Sequence, residues 1–262
     1  MADYDSLPPG TFCWPELATT DQKGAVAYYR ALFGWDVNDQ PIGPDEMYSM
    51  FQTRGRAVGA AYTMRPEERQ HGVPPHWNSY VAVTDADEAA KRAQSLGAKV
   101  LMQPFDVMDA GRMALVQDPT GAAFAVWQPK RHQGVQVFGE PGALCWTELS
   151  TRDTKAAEKF YTQMFGWTPK HSQSPGMEYT EFSVGGRPSI GMMPMPAGVP
   201  AQVPAFWLPY FQVSDVDTAA AKSSQLGGKS MVPPTDIPST GRFAVLNDPA
   251  GAAFAIYKPA RM

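Results

Sequence analysis

Two kinds of periodicity follow each other along the chain. From residue 12 to residue 20 (FCWPELATT), side chains of different character alternate at every second position, which predicts a β-strand. Asp21 then suits a helix N-cap, apolar residues recur at helical spacing over 25–33, and Gly34 suits the end of the helix. The opening of the chain therefore predicts a strand followed by an amphipathic helix.

The rest of the first half extends this order. Residues 47–65 predict two strands joined by a turn at Gly55, and an irregular stretch with prolines follows them. The order then resumes with a strand, a helix that begins after Asp85, and three short strands, at 77–84, 86–96, 98–102, 112–117 and 122–128.

The second half of the chain repeats the first. Residues 10–35 return as residues 142–167 with 13 of 26 positions identical, and residues 118–129 return as residues 248–259 with 8 of 12 identical. An interval of about 130 residues is the size of a whole domain, so the pattern indicates a tandem duplication rather than a stack of short repeats.

The predicted fold class is α+β, with four βαβββ modules, two in each copy. Each helix has one apolar stripe that must cover a sheet, so we expect curved mixed sheets with the helices outside and a concave face left over. We place the first domain at 1–134 and the second at 140–262, with the boundary near Gly139 in a polar, glycine-bearing linker.

Composition narrows the function classes. The net charge is −4, the pI is about 5.6 and no basic block occurs, so nucleic acid and anionic membranes are not expected partners. No stretch reaches the roughly 18 consecutive apolar residues of a membrane span, and residues 1–12 do not resemble an export signal. We therefore expect a cytoplasmic protein, in which Cys13 and Cys145 remain separate buried thiols rather than a disulfide.

The motifs resemble those of the vicinal oxygen chelate superfamily. The helix ends YYRALFGW and FYTQMFGW, and the turns DPTG and DPAG before the last strand of each copy, carry this resemblance. The superfamily includes glyoxalase I, extradiol dioxygenases and bleomycin-resistance proteins, and the similarity extends over the whole chain. It implies tandem glyoxalase-like domains, each with a ligand or metal site in the concave face.

The resemblance also implies four metal-ligand positions in each copy, and here none carries a good ligand. The first copy has Trp14, a position at or next to Ala60, Asn78 and Ala125, and the second has Trp146, Met192 or a neighbour, Leu208 and Ala255. A catalytic zinc site needs about three protein ligands, and one neutral amide is too weak a donor. Of the four histidines only His76 has the parity of Asn78, whereas His71, His132 and His171 lie outside the predicted cavity strands. We predict no metal and no cofactor.

Glu16 and Glu148 share the inward face of their strands with Trp14 and Trp146. A carboxylate on an enclosed apolar face requires partners. Two alternatives remain open: each Glu contacts a ligand or acts as a general base, or each is held structurally by backbone amides, a Trp indole, or an arginine such as Arg112 or Arg242.

Aromatic residues and alanines at inward positions suggest a flat slot for a planar or apolar molecule. The alternative is a cavity closed by its own aromatic side chains. The first slot is the more polar of the two, because Asn78 is replaced by Leu208 in the second copy, and it is the better candidate for specific recognition. The candidate ligand-binding residues are Trp14, His76, Asn78, Tyr80, Arg112, Trp127, Trp146, Tyr210, Arg242 and Tyr257.

The leading hypothesis is metal-independent binding or sequestration of a small aromatic or amphipathic metabolite or antibiotic. Its rival is a glyoxalase-like lyase or isomerase, acting on a methylglyoxal-type substrate, with Glu16 or Glu148 as the catalytic base. A third possibility is a scaffold that presents only its surface. Because a duplicated domain can replace a dimer, the sequence favours a monomer, with a homodimer as the alternative.

Overall fold

The computed structural model describes residues 7–44, 46–174, 177–185 and 187–260. The first copy consists of β1 Phe12–Thr19, α1 Gln22–Phe33, β2 Asp36–Pro41, β3 Met47–Thr53, β4 Arg56–Thr63, α2 Pro66–Gln70, β5 His76–Ala82, α3 Ala86–Ser95, β6 Lys99–Val107, β7 Gly111–Gln117 and β8 Ala123–Pro129. The second consists of β9 Leu144–Thr151, α4 Thr154–Phe165, β10 Thr168–Ser174, β11 Met177–Val184, β12 Arg187–Pro194, β13 Phe206–Gln212, α5 Val216–Gln225, β14 Lys229–Ile237, β15 Gly241–Asn247 and β16 Ala253–Pro259.

The predicted helix starts are confirmed. The Asp21 carboxylate accepts a hydrogen bond from the Gly24 amide, and Asp85 accepts one from the Glu88 amide. Gly34 ends α1 in the left-handed conformation, at φ 73°, which costs glycine no steric strain. The sequence does not predict strand β2 or the short helix α2. Strand β2 is polar and mostly exposed, and α2 has no buried residue, so neither shows a hydrophobic period.

Each copy forms one eight-stranded mixed sheet. The order in the first is β2-β3-β4-β1-β5-β8-β7-β6, and the second repeats it as β10-β11-β12-β9-β13-β16-β15-β14. The inner strands β1 and β5 run antiparallel, whereas β1–β4 and β5–β8 are parallel pairs. The two modules of a copy therefore pair with each other within one sheet.

The alternation predicted for β1 fails at its first residue. A register shift between Phe12 and Trp14 sends the Phe12 ring to the helix-covered face, where it packs 4.8 Å from Trp207 between ring centroids. Trp14 and Glu16 keep their common inward face, so the bulge changes the role of Phe12 without moving the candidate site.

The hydrophobic cores on the helix-covered faces are shared between the copies. One core joins α3 and the back of the first sheet to Phe160, Trp167 and Trp207 of the second copy. The other joins α1 and Trp35 to Phe211 and Phe254 of the second copy. Helices that cover one sheet thus also complete the core of the other.

The repeated motifs make these contacts. The Trp77 indole donates to the Tyr29 hydroxyl (3.0 Å), which donates across the copies to Asp248 of the DPAG turn (3.1 Å). The second copy repeats this relay through Trp207, Tyr161 and Asp118, at 2.9 and 2.8 Å. The relays join the helix motif of each copy to the turn motif of the other.

Among the helices that the structure describes, none is long and apolar enough to cross a membrane.

Candidate functional site

The concave face of each sheet is here called a cup. The first cup contains Trp14, Glu16, Asn78, Tyr80 and Trp127, and the second contains their counterparts Trp146, Glu148, Leu208, Tyr210 and Tyr257. Strand register places Glu16 opposite Asn78 and Trp14 opposite Tyr80. Inward strand positions therefore bring together the carboxylate and most of the aromatic residues predicted from the sequence.

Two tyrosines hold the Glu16 carboxyl group. The Tyr48 hydroxyl donates to Oε1 and the Tyr80 hydroxyl donates to Oε2, both at 2.7 Å. The Trp14 indole nitrogen donates to the Tyr48 oxygen at 2.8 Å, so the indole reaches Glu16 only through a tyrosine. Glu16 is 9 % exposed, and these contacts supply the partners that a buried carboxyl group needs.

The second cup repeats this arrangement. Tyr179 and Tyr210 donate to the two Glu148 oxygens at 2.7 Å, and the Trp146 indole donates to Tyr179 at 3.0 Å. The structural alternative offered backbone amides, an indole or an arginine as partners of each Glu. The structure instead gives two tyrosines to each, and the Asn78 side chain is a further partner of Glu16. The same Trp–Tyr–Glu–Tyr network in both copies is a built feature of the fold.

Tyr48 and Tyr179 were missed in the sequence. They belong to strands β3 and β11, away from the motifs that carry the resemblance. The signal was present, since the first copy has Tyr48 and Phe51 where the second has Tyr179 and Phe182, at the same spacing. Aligning the copies strand by strand, rather than only at their most similar ends, would have found the pair.

The predicted ligand-binding role of Arg112 and Arg242 is wrong. Arg112 forms a bidentate ion pair with Asp87 at 2.6 and 2.9 Å, and Arg242 forms one with Asp217 at 2.8 and 2.9 Å. Arg112 shares strand parity with Ala114, which lies in the helix-side core, so its side chain points away from the cup. Neither arginine is a partner of the buried glutamates.

Polar residues gather at one end of the first cup. His76 Nε2 lies 3.1 Å from the Asn78 side-chain oxygen, and the Tyr62 hydroxyl donates to Glu68 of α2 at 2.9 Å. The second copy has Phe206 and Leu208 in place of His76 and Asn78. The predicted difference in polarity between the cups is therefore present in the structure.

His132 lies at the opposite end of the first cup. It belongs to the linker between the copies, and its ring reaches the cup from there. Its ring meets Trp14 edge-on with centroids 4.3 Å apart, and its carbonyl oxygen accepts from the Trp127 indole at 2.9 Å. The Nε2 atom is buried without a hydrogen-bond partner among the described residues. Burial lowers the pKa of His132 from its ordinary 6.5 to about 4, so the ring is neutral at pH 7.

His132→Phe is expected to remove a loss of stability in acid. Because the folded pKa is lowered, the unfolded chain binds its proton first, and the wild-type protein loses up to about 3 kcal/mol of unfolding free energy between pH 6.5 and 4. Urea unfolding at pH 7, 5.5 and 4 measures the difference, with His71→Phe at an exposed site as control. Equal acid losses in wild type and His132→Phe would contradict the prediction.

Burial raises the pKa of the Glu16 and Glu148 carboxyl groups above the ordinary 4.5, although their tyrosine hydrogen bonds oppose the shift. A group with a raised folded pKa stabilises the protein fully below its unfolded pKa, and that stability is lost as the pH rises through the folded pKa. Each glutamate therefore makes the protein less stable as the pH rises above about 4.5.

Glu16→Gln and Glu148→Gln are each expected to remove part of this pH dependence. The amide does not titrate, so its altered hydrogen bonding shifts the unfolding free energy by the same amount at every pH. Chemical unfolding from pH 4.5 to 8 measures the slope, and the double variant should show the larger change. A slope equal to that of the wild type would show that neither carboxyl group has a shifted pKa.

Tyr80→Phe is expected to lower the unfolding free energy by about 1–3 kcal/mol, because it leaves one buried carboxyl oxygen without its donor. Tyr210→Phe should cost a similar amount at the matching site. Tyr257→Phe is the control, since the Tyr257 hydroxyl donates to the carbonyl of Thr240 in a partly exposed hairpin. Denaturation with urea measures all three, and equal losses at Tyr80 and Tyr257 would argue against a special network at Glu16.

The donor set of the cups does not fit a divalent cation. Within the described ranges, no three His, Cys, Asp or Glu side chains come close enough together to hold a metal ion. In each cup the carboxyl oxygens already accept from tyrosines, and the remaining positions named by the resemblance are Trp, Ala, Asn, Met or Leu. A catalytic zinc site needs about three protein ligands, and thiolate, imidazole and carboxylate groups are the donors that hold such transition metals.

Cys13 and Cys145 are both free thiols, as the sequence predicts. Cys13 is fully buried, and Cys145 is half-buried at the edge of the second cup. Burial raises the pKa of both thiols, which leaves them protonated and poorly nucleophilic at neutral pH.

Paired modules, two curved sheets and two cups define a tandem protein of the glyoxalase-like class. Consistent with this class, the family model "Glyoxalase/Bleomycin resistance protein/Dioxygenase superfamily" matches residues 12–126 and 143–256. The chain belongs to this superfamily.

Two relatives match along nearly their whole length. The "Putative glyoxylase CFP32" of Mycobacterium bovis is 43 % identical over 255 residues, which cover 96 % of this chain and 95 % of the relative. The "Anthracycline biosynthesis protein DnrV" of Streptomyces peucetius is 35 % identical over 261 residues, which cover 95 % and 93 %.

Solved structures share the fold at low identity. The Mn(II)-bound glyoxalase from Novosphingobium aromaticivorans superposes with a TM-score of 0.64 at 14 % identity, covering 95 % of this chain and 82 % of that one. The 2,3-dioxygenase LapB from Pseudomonas sp. KL28 has a TM-score of 0.65 at 14 % identity, covering 99 % and 94 %. At this level of identity the likeness is one of fold.

Proposed function

We propose that this protein binds a small aromatic or amphipathic molecule in its cups without a metal ion. The observation that carries the proposal is the paired Trp–Tyr–Glu–Tyr network, which occupies each cup where a metal-binding member of the superfamily would need several ligands. The similarity to a protein named for anthracycline biosynthesis supports a planar, hydroxylated ligand.

The network suits such a ligand chemically. In the second cup each Glu148 oxygen accepts one tyrosine hydrogen bond and still has a lone pair for a ligand hydroxyl group. The tyrosines fix the orientation of the carboxyl group, and the indole of Trp14 or Trp146 offers an aromatic surface beside it. Recognition would then combine ring contacts with one directed hydrogen bond, as small-molecule sites commonly do.

Calorimetric titration with 2-naphthol tests the proposal, because this probe is planar, neutral at pH 7 and carries one hydroxyl donor. EDTA-treated protein should bind it, and Trp14→Ala combined with Trp146→Ala should weaken the binding at least about tenfold. Arg112→Gln, which lies outside the cups, is the control. Binding that survives the double substitution, or a stoichiometric Zn, Ni, Fe or Mn ion in purified protein, would overturn the proposal.

A glyoxalase-like lyase or isomerase is the second candidate. The raised pKa of Glu16 and Glu148 brings each carboxyl group closer to the range of a general base, and one relative is named a glyoxylase. In this reaction a thiol co-reactant would first add to the methylglyoxal aldehyde to give a hemithioacetal, and the ionised Glu would remove its C1 proton and return it to C2, which yields a 2-hydroxy thioester. Methylglyoxal turnover, lost in Glu16→Gln or Glu148→Gln and kept in Arg112→Gln, would favour this candidate.

We also infer a cytoplasmic monomer that does not bind nucleic acid. The apolar faces of the helices are covered by the other copy within the same chain, so the described fold leaves them no need of a second molecule. The net charge of −4 gives no attraction to phosphates. Light scattering after size-exclusion chromatography would show a mass near 28.6 kDa, and a doubled mass would indicate a homodimer instead.

A further inference from the structure

The linker between the copies is bound across one end of the first cup. The Lys130 amide donates to the Ala110 carbonyl at 3.0 Å, and the Val135 amide donates to the Cys13 carbonyl at 2.8 Å. Gln136 pairs with Ala57 in both directions, at 2.9 Å through its amide and 2.8 Å through its side-chain oxygen. Hydrogen bonds to β1, β4 and the β6–β7 hairpin therefore fix the linker in place.

His132 enters this end of the cup from the linker, and Val135 of the linker and Leu7 pack into the same cluster. Its ring lies 4.3 Å from Trp14 and 5.8 Å from Trp127, both between ring centroids, so it occupies space beside the two indoles. The indoles and Cys13 are consequently buried, with exposed fractions of 4 % for Trp14, 5 % for Trp127 and 0 % for Cys13. The linker thus supplies an aromatic occupant from within the chain.

The matching end of the second cup stays accessible. Trp146, Tyr257 and Cys145 are the counterparts of the three buried residues, and all three are half-buried in the structure. The Tyr257 hydroxyl bonds to Thr240 in its own hairpin, whereas the Trp127 indole bonds to the linker. The two cups therefore have the same Trp–Tyr–Glu–Tyr network. They differ at one end, which the linker covers in the first cup and not in the second.

The walls of the second cup are apolar, and its floor is polar. Phe206 and Leu208 stand on one side and Phe243 on another, while the Glu148 carboxyl lies between Tyr179 and Tyr210. Such walls favour an uncharged ring system, and the carboxyl group favours a hydrogen-bond donor on that ring. A ligand anion would meet the Glu148 carboxyl group, and Arg242 would not offset its charge, since Arg242 is paired with Asp217 on the other face.

We propose that the second cup is the ligand site and takes a neutral hydroxyaromatic molecule, while His132 of the linker fills the first cup. This inference rests on the proposed binding function and decides which copy performs it. It reverses the preference from sequence, which favoured the first cup because it is the more polar.

The test is the stoichiometry of 2-naphthol binding in the full chain, measured by calorimetry. The wild-type protein should bind one molecule, and Trp146→Ala should weaken it about tenfold, as expected when one aromatic contact is lost. Trp14→Ala, the matched change in the first cup, should leave the affinity within about twofold. Naphthalene-2-carboxylate, the anionic analogue, should bind at least about tenfold more weakly than 2-naphthol.

A linker variant tests the role of His132 directly. His132→Gly should add a second binding site in the first cup, and His132→Phe should not, because the larger ring still fills the space. Far-ultraviolet circular dichroism and the melting curve identify any variant that fails to fold, in which case Trp146→Phe and Trp14→Phe decide between the cups.

The possible failures can be distinguished. Two equal sites in the wild type, or weakening by Trp14→Ala and not by Trp146→Ala, would overturn the assignment to the second cup and leave the binding function intact. The absence of 2-naphthol binding in the wild type, or binding that ignores both tryptophans, would overturn the proposed function and this inference with it. Equal affinity for the anion would overturn the ligand class alone.

Discussion

Expressed separately, residues 1–139 and 140–262 are each expected to fail to fold as a stable monomer. Each helix-side core draws on both copies, so a separated half would expose the apolar faces of its helices and of its sheet. The relays from Tyr29 to Asp248 and from Tyr161 to Asp118 would also lose one partner, leaving buried polar groups unsatisfied. Circular dichroism and light scattering of each half should show loss of structure or self-association.

Co-expression of the two halves provides the control. If the shared cores drive folding, the halves should assemble into a one-to-one complex with the spectrum of the intact chain. A cooperative, monomeric, folded half would contradict this expectation and show that the sheet of one copy suffices. The intact protein should accordingly unfold in a single calorimetric transition, because neither copy has a complete helix-side core of its own.

Trp167→Ala is expected to lower the free energy of unfolding by about 3–5 kcal/mol, the usual cost of removing a large buried aromatic side chain. Trp167 is 1 % exposed, packs on Tyr161 with ring centroids 5.0 Å apart, and donates from its indole to the Gly10 carbonyl of the first copy at 2.8 Å. The substitution would therefore open a cavity and also leave a buried carbonyl group without its donor.

Trp35→Ala is the matched variant, because the Trp35 indole donates to the Gly142 carbonyl at 2.7 Å in the symmetric position. Trp146→Ala provides the contrast, since the same side chain is half-buried there and should cost clearly less. Urea unfolding compares the three variants. Equal losses at Trp167 and Trp146 would show that the cores between the copies do not dominate stability.

Local signals in the sequence predicted the elements well. Asp21 and Asp85 start helices and Gly34 ends one because the chemistry of each lies within a few residues. Periodicity also showed which face of α1 is apolar, but it could not show what covers that face. That face packs against Phe211 and Phe254, which lie at least 178 and 221 residues further along the chain. This contact depends on how the two sheets meet, and no short sequence pattern shows it.

The sequence predicts those residues of the candidate site whose side-chain direction follows from alternation along a strand. Parity placed Trp14, Glu16 and Tyr80 in the cup because side chains alternate across a strand. Strand parity also places Arg112 on the helix-covered face, away from the cup, where it pairs with Asp87. The position of the His132 ring in the first cup could not be predicted. It depends on the path of an irregular linker, whose sequence has no hydrophobic periodicity.

The crossed relays have an evolutionary consequence. The turn of one copy is hydrogen-bonded to the helix of the other. A substitution at Asp118 therefore removes the partner of Tyr161 in the other copy, so the two copies are constrained together at these positions. The inward residues of the cups take no part in these relays, so their identities are free to differ between the two copies. The helix ends and the turns are accordingly alike in both halves of the chain. The cup residues differ, since His76 and Asn78 of the first copy are replaced by Phe206 and Leu208 in the second.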